Sequence, residues 1–195
     1  MTQTAPSYDD ERARALLSQV AAQRQDAFET LYAMLSKRVF AFVRRSVDNV
    51  AMAEEIMMDT MFEVWKSANH YRGDARVSTW VLGIARNKML MTLRSQPSHG
   101  YDDIEAFAEI IASDTPDGLA ALESKRRDAL LKDCMERLPP IHRECLHLLH
   151  FEDCSVAEIA ALQAVPPGTV KSRLSHARAR LQTCVEIGTG HIQLE

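Results

Sequence analysis

The segment that most limits how this chain can fold runs from Ser155 to Leu181, where a capped apolar turn, a double proline and a basic amphipathic stretch follow one another directly. Ser155-Val156-Ala157-Glu158 has capping-box spacing: the serine hydroxyl accepts from the amide three residues on, and the glutamate reaches back to the serine N–H. The short helix it opens carries Val156, Ile159 and Ala160 inward. Ala164-Val165-Pro166-Pro167-Gly168 must end it, because proline has no amide donor and clashes inside a helix, although a first helical turn accepts it. Beyond the break, Val170, Leu174, Ala177 and Leu181 recur at three- and four-residue steps and form one buried stripe. Lys171, Ser172, Ser175 and Arg178 gather on another side, with Arg173, His176 and Arg180 beside them.

Helix, tight turn and basic helix together read as a helix-turn-helix, whose second helix enters the DNA major groove with its N-terminal residues at the base edges. The residues placed there are Thr169, Lys171, Ser172, Arg173, Ser175 and His176, with Arg178 and Arg180 further along. A solvated basic surface helix is the plainer reading of the second helix alone; the capped helix and proline turn ahead of it favour DNA binding.

With 195 residues the chain has room for one domain or two small ones. A hydrophobic fraction of 46% supplies real cores, and periodicities near 3.6, with few alternating β-branched runs, predict an all-α protein. No stretch approaches the roughly 18 uninterrupted apolar residues of a membrane span, and residues Met1 to Arg14 have no apolar signal core, so no membrane insertion and a cytoplasmic location are expected. Cys134, Cys145, Cys154 and Cys184 show no C-x-x-C spacing, and a reducing compartment predicts four free thiols. His142, Cys145, His147, His150 and Cys154 crowd one segment, but their spacing suits packed helix residues better than a closed tetrahedral metal site. No cofactor is called for. No phosphate-cradling glycine loop, HExxH or nucleophile elbow occurs, which speaks against an enzyme.

The net charge of −4 suits a DNA-binding chain only once it is localised. Between Ala164 and Val185 lie Lys171, Arg173, Arg178 and Arg180 with no acid, and between Tyr71 and Ser95 lie Arg72, Arg76, Arg86, Lys88 and Arg94 against Asp74 alone. From Tyr101 to Glu123 the chain instead carries Asp102, Asp103, Glu105, Glu109, Asp114, Asp117 and Glu123 with no base. Two basic patches are thus separated by an acidic connector, and the local field at each patch matters more to partners than the total.

Helical stripes organise the remainder. Phe28, Leu31, Tyr32, Leu35, Val39, Phe42 and Val43 predict a helix from about Asp26 to Ser46. Ala53, Ile56, Met57, Thr60, Met61 and Val64 predict a second, whose opposite side shows Glu55, Asp59, Phe62 and Glu63; a phenylalanine exposed among acids suggests a partner surface. After a turn at Tyr71-Arg72-Gly73-Asp74, a helix starting at Ser78-Thr79 would bury Val81, Ile84 and Ala85 and turn Asn87, Met91 and Arg94 outward. Leu119, Leu122, Leu130, Leu131, Cys134, Met135 and Leu138 mark another, stopped by Pro139-Pro140, and a shorter one follows from about Ile141 to Phe151. The division expected is a first helical domain over 1–96, an acidic linker over 97–118 that also holds Ile104, Phe107, Ile110 and Ile111, and a second helical domain over 119–195.

With these pieces in order, the chain resembles the extracytoplasmic-function class of bacterial sigma-70 factors over nearly its whole length. The first domain is similar to their domain 2 at Ala27-Phe28-Glu29-Thr30-Leu31-Tyr32, Ala53-Glu54-Glu55-Ile56, Tyr71-Arg72-Gly73-Asp74-Ala75-Arg76-Val77-Ser78-Thr79-Trp80-Val81 and Ile84-Ala85-Arg86-Asn87. The second is similar to domain 4 at Leu138-Pro139-Pro140, Glu158-Ile159-Ala160 and Gly168-Thr169-Val170-Lys171-Ser172-Arg173-Leu174. Each string is weak alone; their order and spacing together are specific. The resemblance implies no counterpart of the family's domain 3 or of the region ahead of domain 2.

It implies a promoter-recognising factor of RNA polymerase that opens DNA for a stress or envelope response and is held inactive by an anti-sigma protein. The recognition helix would read the −35 element through Lys171, Ser172, Arg173 and His176, with Arg178 and Arg180 on phosphates. Tyr71, Arg72, Arg76, Trp80, Arg86, Asn87, Lys88 and Met91 would surround the −10 element, Tyr71 and Met91 walling a flipped base and Asn87 reading its edge. Glu54, Glu55, Asp59, Phe62 and Glu63 would meet the coiled coil of the polymerase β′ subunit, the second domain would meet the β flap, and the acidic linker would follow the later path of nascent RNA.

The chain departs from the family pattern in three places. Ala164 stands where a turn glycine is usual, which predicts a backbone that avoids the left-handed region. Met58 replaces a common glutamine near the polymerase surface. Ser175 and His176 replace a bulkier residue and an arginine. Two other readings remain open on the residues: a stand-alone helix-turn-helix regulator, which leaves Trp80, Asn87 and the first basic patch unexplained, and a metal-sensing switch centred on His142 to Cys154.

Overall fold

A computed structural model describes residues 9–95 and 118–189. The acidic run from Asp102 to Asp117, with Ile104, Phe107, Ile110 and Ile111, lies outside the described residues, as do the side chains of 118–125. Among the described residues the chain is all-α, as expected, with eight α-helices, one short 3-10 turn at Ala68–His70 and no strand. They fall into two compact units, Met1–Ile104 and Glu105–Glu195.

The first unit contains α1 (Asp10–Ala21), α2 (Gln25–Arg44), α3 (Val50–Ser67) and α4 (Val77–Ser95). α1 is an element the stripes above did not identify. Its signals are short: Asp9 caps it by accepting from the Arg12 N–H at 3.1 Å, and Ala13, Leu17 and Val20, at four- and three-residue steps, are fully buried. α2 buries Leu31, Leu35, Val39, Phe42 and Val43 against α1, α3 and α4. Phe28 and Tyr32 are only half-buried; Phe28 packs edge-on against Trp65, with centroids 5.2 Å apart, and the Tyr32 hydroxyl donates to Met57 Sδ at 3.7 Å.

α3 starts at Asn49, whose side chain accepts from the Met52 N–H at 3.1 Å, and buries Ala53, Ile56, Thr60, Met61 and Val64. Buried Thr60 sits in this apolar stripe because its hydroxyl donates to the Ile56 carbonyl at 2.6 Å, leaving no orphan. α4 begins one residue before the expected Ser78 and buries Val77, Val81, Leu82, Ala85 and Met89, with Ile84 half-buried.

The second unit contains α5 (Gly118–Glu136), α6 (Pro140–His150), α7 (Val156–Gln163) and α8 (Pro167–Gly188). Its core is Leu138, Leu146, Leu148, Ile159, Val170, Leu174 and Ala177 with the small side chains of Cys145 and Ala160. Leu131, assigned to the apolar stripe of α5, is exposed. The capping box of α7 is complete: Ser155 Oγ accepts from the Glu158 N–H at 3.2 Å and Glu158 Oε2 from the Ser155 N–H at 2.8 Å.

Two expectations fail in this unit, both for tertiary reasons. Cys134 and Cys184 are not free thiols but a disulfide, joining residues 50 apart in sequence. Leu130 and Cys134 of α5 lie beside Gly188 and Cys184 of α8, so the two helices run antiparallel and bring the Cα atoms within 5.7 Å, inside bridging range. Gly188 is the small residue at that approach, since a Cβ on it would clash with Leu130 Cδ1. Cys145 and Cys154 are buried and take no part in a disulfide.

The second failure concerns Ala164, which occupies the left-handed region at φ 53°, ψ 46° as the cap of α7. The conformation costs an L-residue roughly 1–2 kcal/mol. It persists because it lets the Val165 N–H reach back to the Ala160 carbonyl at 3.0 Å, closing the helix end, while prolines 166 and 167 preclude a helical continuation.

Candidate nucleic-acid interface

α8 is built to show one face and bury the other. Pro166 and Pro167 take the cap and first helical positions, where the missing amide donors are not needed. Val170, Leu174 and Ala177 are buried, and Leu181 is half-buried at the edge. Lys171, Ser172, Ser175, His176, Arg178 and Arg180 are exposed, and Thr169 is half-buried at the first turn. From Pro167 to Val185 the helix has no carboxylate, so its outer face has one sign and can meet phosphate without self-quenching.

Arg173 stands apart. It is half-buried and donates through Nη1 to Gln163 Oε1 at 2.7 Å. Gln163, the last residue of α7, also accepts from Cys145 Sγ at 3.2 Å and donates through Nε2 to Glu144 Oε2 at 2.7 Å. Gln163 and Glu144 join this candidate interface through those bonds, and the sequence reading missed both. The available signal was an amide at the apolar four-residue step from Ile159, where a polar group needs full satisfaction. The network ties α6, α7 and α8 together across the turn and sets the direction in which the Arg173 guanidinium points.

The crowded histidine and cysteine segment disperses in three dimensions. Cys145 faces Gln163, and its burial pushes the thiol pKa up. His147 Nε2 meets Glu152 Oε1 at 3.1 Å, with both side chains almost fully buried, and Phe151 stacks on the imidazole with centroids 5.3 Å apart. His142 lies 6.2 Å from His176, ring to ring. Burial lowers the His142 pKa, with Arg180, His176 and Arg173 adding in the same direction. Among the described residues no three His, Cys, Asp or Glu side chains converge as metal ligands.

In the first unit the basic patch surrounds the 71–76 turn and the outer face of α4. Arg72, Asn87 and Met91 are exposed, Met91 at 68%, whereas Arg76, Trp80, Arg86 and Lys88 are half-buried. Gly73 takes φ +81°, which the tight turn requires. Tyr71 is half-buried, and its contacts are committed within the protein. Its ring lies 5.4 Å from that of Trp80, its hydroxyl donates to the Ala75 carbonyl, and Arg14 of α1 sits over it. Burial also pushes the phenol pKa up.

Glu54, Glu55, Met58, Asp59 and Phe62 form an exposed strip on α3, Phe62 at 60% with Lys66 Nζ 5.6 Å from its ring centroid. Glu63 is half-buried and pairs with Lys88 Nζ at 3.5 Å, so one member of the acidic set meets one member of the basic set. No helix among the described residues is long and apolar enough to cross a membrane.

Known families match the two units in the same order. Residues 31–98 match the family Sigma-70 region 2, and residues 128–181 match Sigma-70, region 4. The RNA polymerase sigma factor CarQ of Myxococcus xanthus is 33% identical over 174 residues, covering 88% of this chain and 94% of that protein. The ECF RNA polymerase sigma factor SigK of Mycobacterium ulcerans is 25% identical over 193 residues, covering 94% and 98%. The fold is shared with CnrH, solved with the cytosolic domain of CnrY, at a TM-score of 0.62 and 22% identity, covering 90% of this chain and 98% of that one. It is shared as well with the sigma factor RpoE of Bartonella quintana, solved with the anti-sigma factor NepR, at a TM-score of 0.60 and 24% identity, covering 82% and 97%. The chain belongs to the sigma-70 family of RNA polymerase factors and, within it, to the extracytoplasmic-function class.

Proposed function

We propose that this sigma factor divides promoter reading between its two units, residues 1–96 acting on the polymerase core and the −10 element and residues 119–195 on the −35 element, with 97–118 as linker. The observation that carries the reading is the outer face of α8, which presents Lys171, Ser172, Ser175, His176, Arg178 and Arg180 with no carboxylate. Lys171, Ser172 and Ser175 address base edges together with His176, while Arg178 and Arg180 take phosphates. Arg173 acts through its bond to Gln163, holding the recognition helix at its working angle, with Thr169 at the first turn.

The −10 element belongs to the first unit. Asn87 and Met91 are exposed on one face of α4 and form the reading edge and apolar wall for an unpaired base, with Arg72, Arg76, Arg86 and Lys88 on the flanking phosphates and Trp80 behind them. A good bidentate base contact supplies roughly 1–3 kcal/mol of discrimination, and flipping a base costs a few. A handful of contacts on a chain of net charge −4 therefore cannot open DNA unaided, and the core polymerase supplies the remainder.

Glu54, Glu55, Asp59 and Phe62, with Glu63 at the edge, dock on the polymerase β′ coiled coil, and the second unit contacts the β flap. An anti-sigma protein covers these surfaces until an inducing signal releases them; the solved complexes of CnrH with CnrY and of RpoE with NepR support such a partner. The factor works in the cytoplasm, where polymerase and promoter DNA are, and contributes no catalysis of its own.

The test is binding of the full chain to purified bacterial core polymerase at near-physiological salt. The double variant Glu55→Arg/Asp59→Arg is expected to lose at least tenfold in affinity while keeping its melting temperature. Unchanged binding by that variant would move the polymerase surface elsewhere, and no binding by the folded parent chain would favour a stand-alone regulator.

A further inference from the structure

The 71–76 turn is held from outside by a helix about sixty residues earlier in the chain. Asp10 Oδ1 accepts from the Val77 N–H at 2.8 Å, capping the first turn of α4, and Asp10 Oδ2 accepts from Arg14 Nε at 2.6 Å. The same guanidinium donates through Nη1 to the Gly73 carbonyl at 3.4 Å and through Nη2 to the Ala75 carbonyl at 3.1 Å. Its Cζ lies 5.6 Å from the centroid of the Tyr71 ring, and the Tyr71 hydroxyl donates to the same Ala75 carbonyl. A Cβ on Gly73 would fall 3.3 Å from Arg14 Nη1, so the turn and the guanidinium are closely fitted.

From this geometry we infer that Asp10 and Arg14 are positioning residues for promoter opening, acting through Tyr71, which serves as a post that fixes the turn and not as a stacking platform for a base. The inference rests on the reading above that the first unit captures the −10 strand. A bidentate fork is needed, because two carbonyls and a carboxylate must be met at fixed separations by one group, which a point-charge ammonium cannot do. A Tyr71 ring packed on Trp80 and Arg14, with its hydroxyl turned back to its own turn, offers a nucleotide little free face. Its value is that the turn is ordered before DNA arrives, so capture does not have to order it.

The experiment uses holoenzyme reconstituted with bacterial core polymerase and a promoter selected by the parent holoenzyme from a randomised DNA pool. Affinity for the single-stranded −10 segment of that promoter, affinity for its −35 duplex, core affinity and melting temperature are measured for each variant. Arg14→Met is expected to weaken −10 strand binding five- to twentyfold, with core and −35 binding within twofold; Arg14→Lys should recover less than half of the loss. Tyr71→Phe, which keeps the ring and removes the hydroxyl, should lose at least threefold, and the double variant should be no worse than Arg14→Met alone, since the two act as one unit. Leu35→Ala, destabilising the same unit from its core, should leave −10 strand affinity within twofold at a temperature where it is folded. Parent-like −10 binding by folded Arg14→Met, parent-like binding by Tyr71→Phe, or an equal loss in Leu35→Ala would each overturn the positioning role. Asn87→Ala separates this from the underlying reading. If it weakens −10 binding while Arg14→Met does not, only the positioning role fails; if it leaves −10 binding unchanged, the assignment of the −10 strand to this face fails.

Discussion

The two units solve the stability problem differently. Of the twelve largest fully buried side chains among the described residues, ten belong to the first unit and only Leu148 and Ile159 to the second. The first is an ordinary apolar core in which long stripes on α2 and α3 find partners on α1 and α4. The second has less apolar volume and fills the deficit with a disulfide, a buried His147–Glu152 pair and the Gln163 network. A small unit that leaves a basic helix face uncovered has fewer residues to spend on a core, and covalent and polar ties replace what burial cannot supply.

The contrast is most exposed at Cys134–Cys184. In the chain-entropy picture, a crosslink between residues 50 apart stabilises by about 4 kcal/mol. Cys184→Ser, or reduction of the parent chain, should therefore lower the melting transition of the second unit by many degrees and leave that of the first in place. Calorimetry of the full chain under oxidising and reducing conditions measures both. A shift of both transitions, or of neither, would remove the disulfide from the account of how the smaller unit is held.

Ala164 offers a smaller effect of opposite sign. Its left-handed backbone is forced by the helix cap and the proline turn, and glycine carries no Cβ to strain there. Ala164→Gly should stabilise the second unit by about 1 kcal/mol, seen as a shift in denaturant midpoint at unchanged slope. A destabilised variant would mean that the alanine methyl contributes more than its backbone costs.

The smallest effect is a pH dependence. Because the folded unit holds His142 below the usual histidine value of about 6.5, the unfolded chain binds a proton more readily there. Stability from this group is complete above that value and declines as pH falls through it toward the lower folded pKa. The melting-temperature loss between pH 7.5 and 5.5 should be smaller for His142→Gln than for the parent. An equal or larger loss in the variant would show that other groups carry the acid response.

The local and periodic part of this protein can be read along the chain. Helix positions over 25–95 and 140–188, the capping box, the proline turn and the basic outer face of α8 all follow from spacings of three and four, from side chains that bond a neighbouring amide, and from a ring that removes a donor. The acidic strip on α3 and the outward Asn87 and Met91 were legible for the same reason, since exposure on a helix is a question of angle. α1 was missed because its apolar stripe, Ala13, Leu17 and Val20, is brief and set among charges.

Which distant groups meet is set by the packing of the helices. The Cys134–Cys184 bridge depends on an antiparallel approach of α5 and α8 that spacing in sequence does not encode. The left-handed Ala164 depends on a helix cap outweighing an intrinsic preference. Arg173 turns toward Gln163 because Glu144 and Cys145 arrive there from α6, and the 71–76 turn is set by Asp10 and Arg14 from α1. Each outcome is a hydrogen bond, crosslink or packing contact between elements whose partners are chosen by the fold, whereas the elements themselves are chosen by neighbours along the chain.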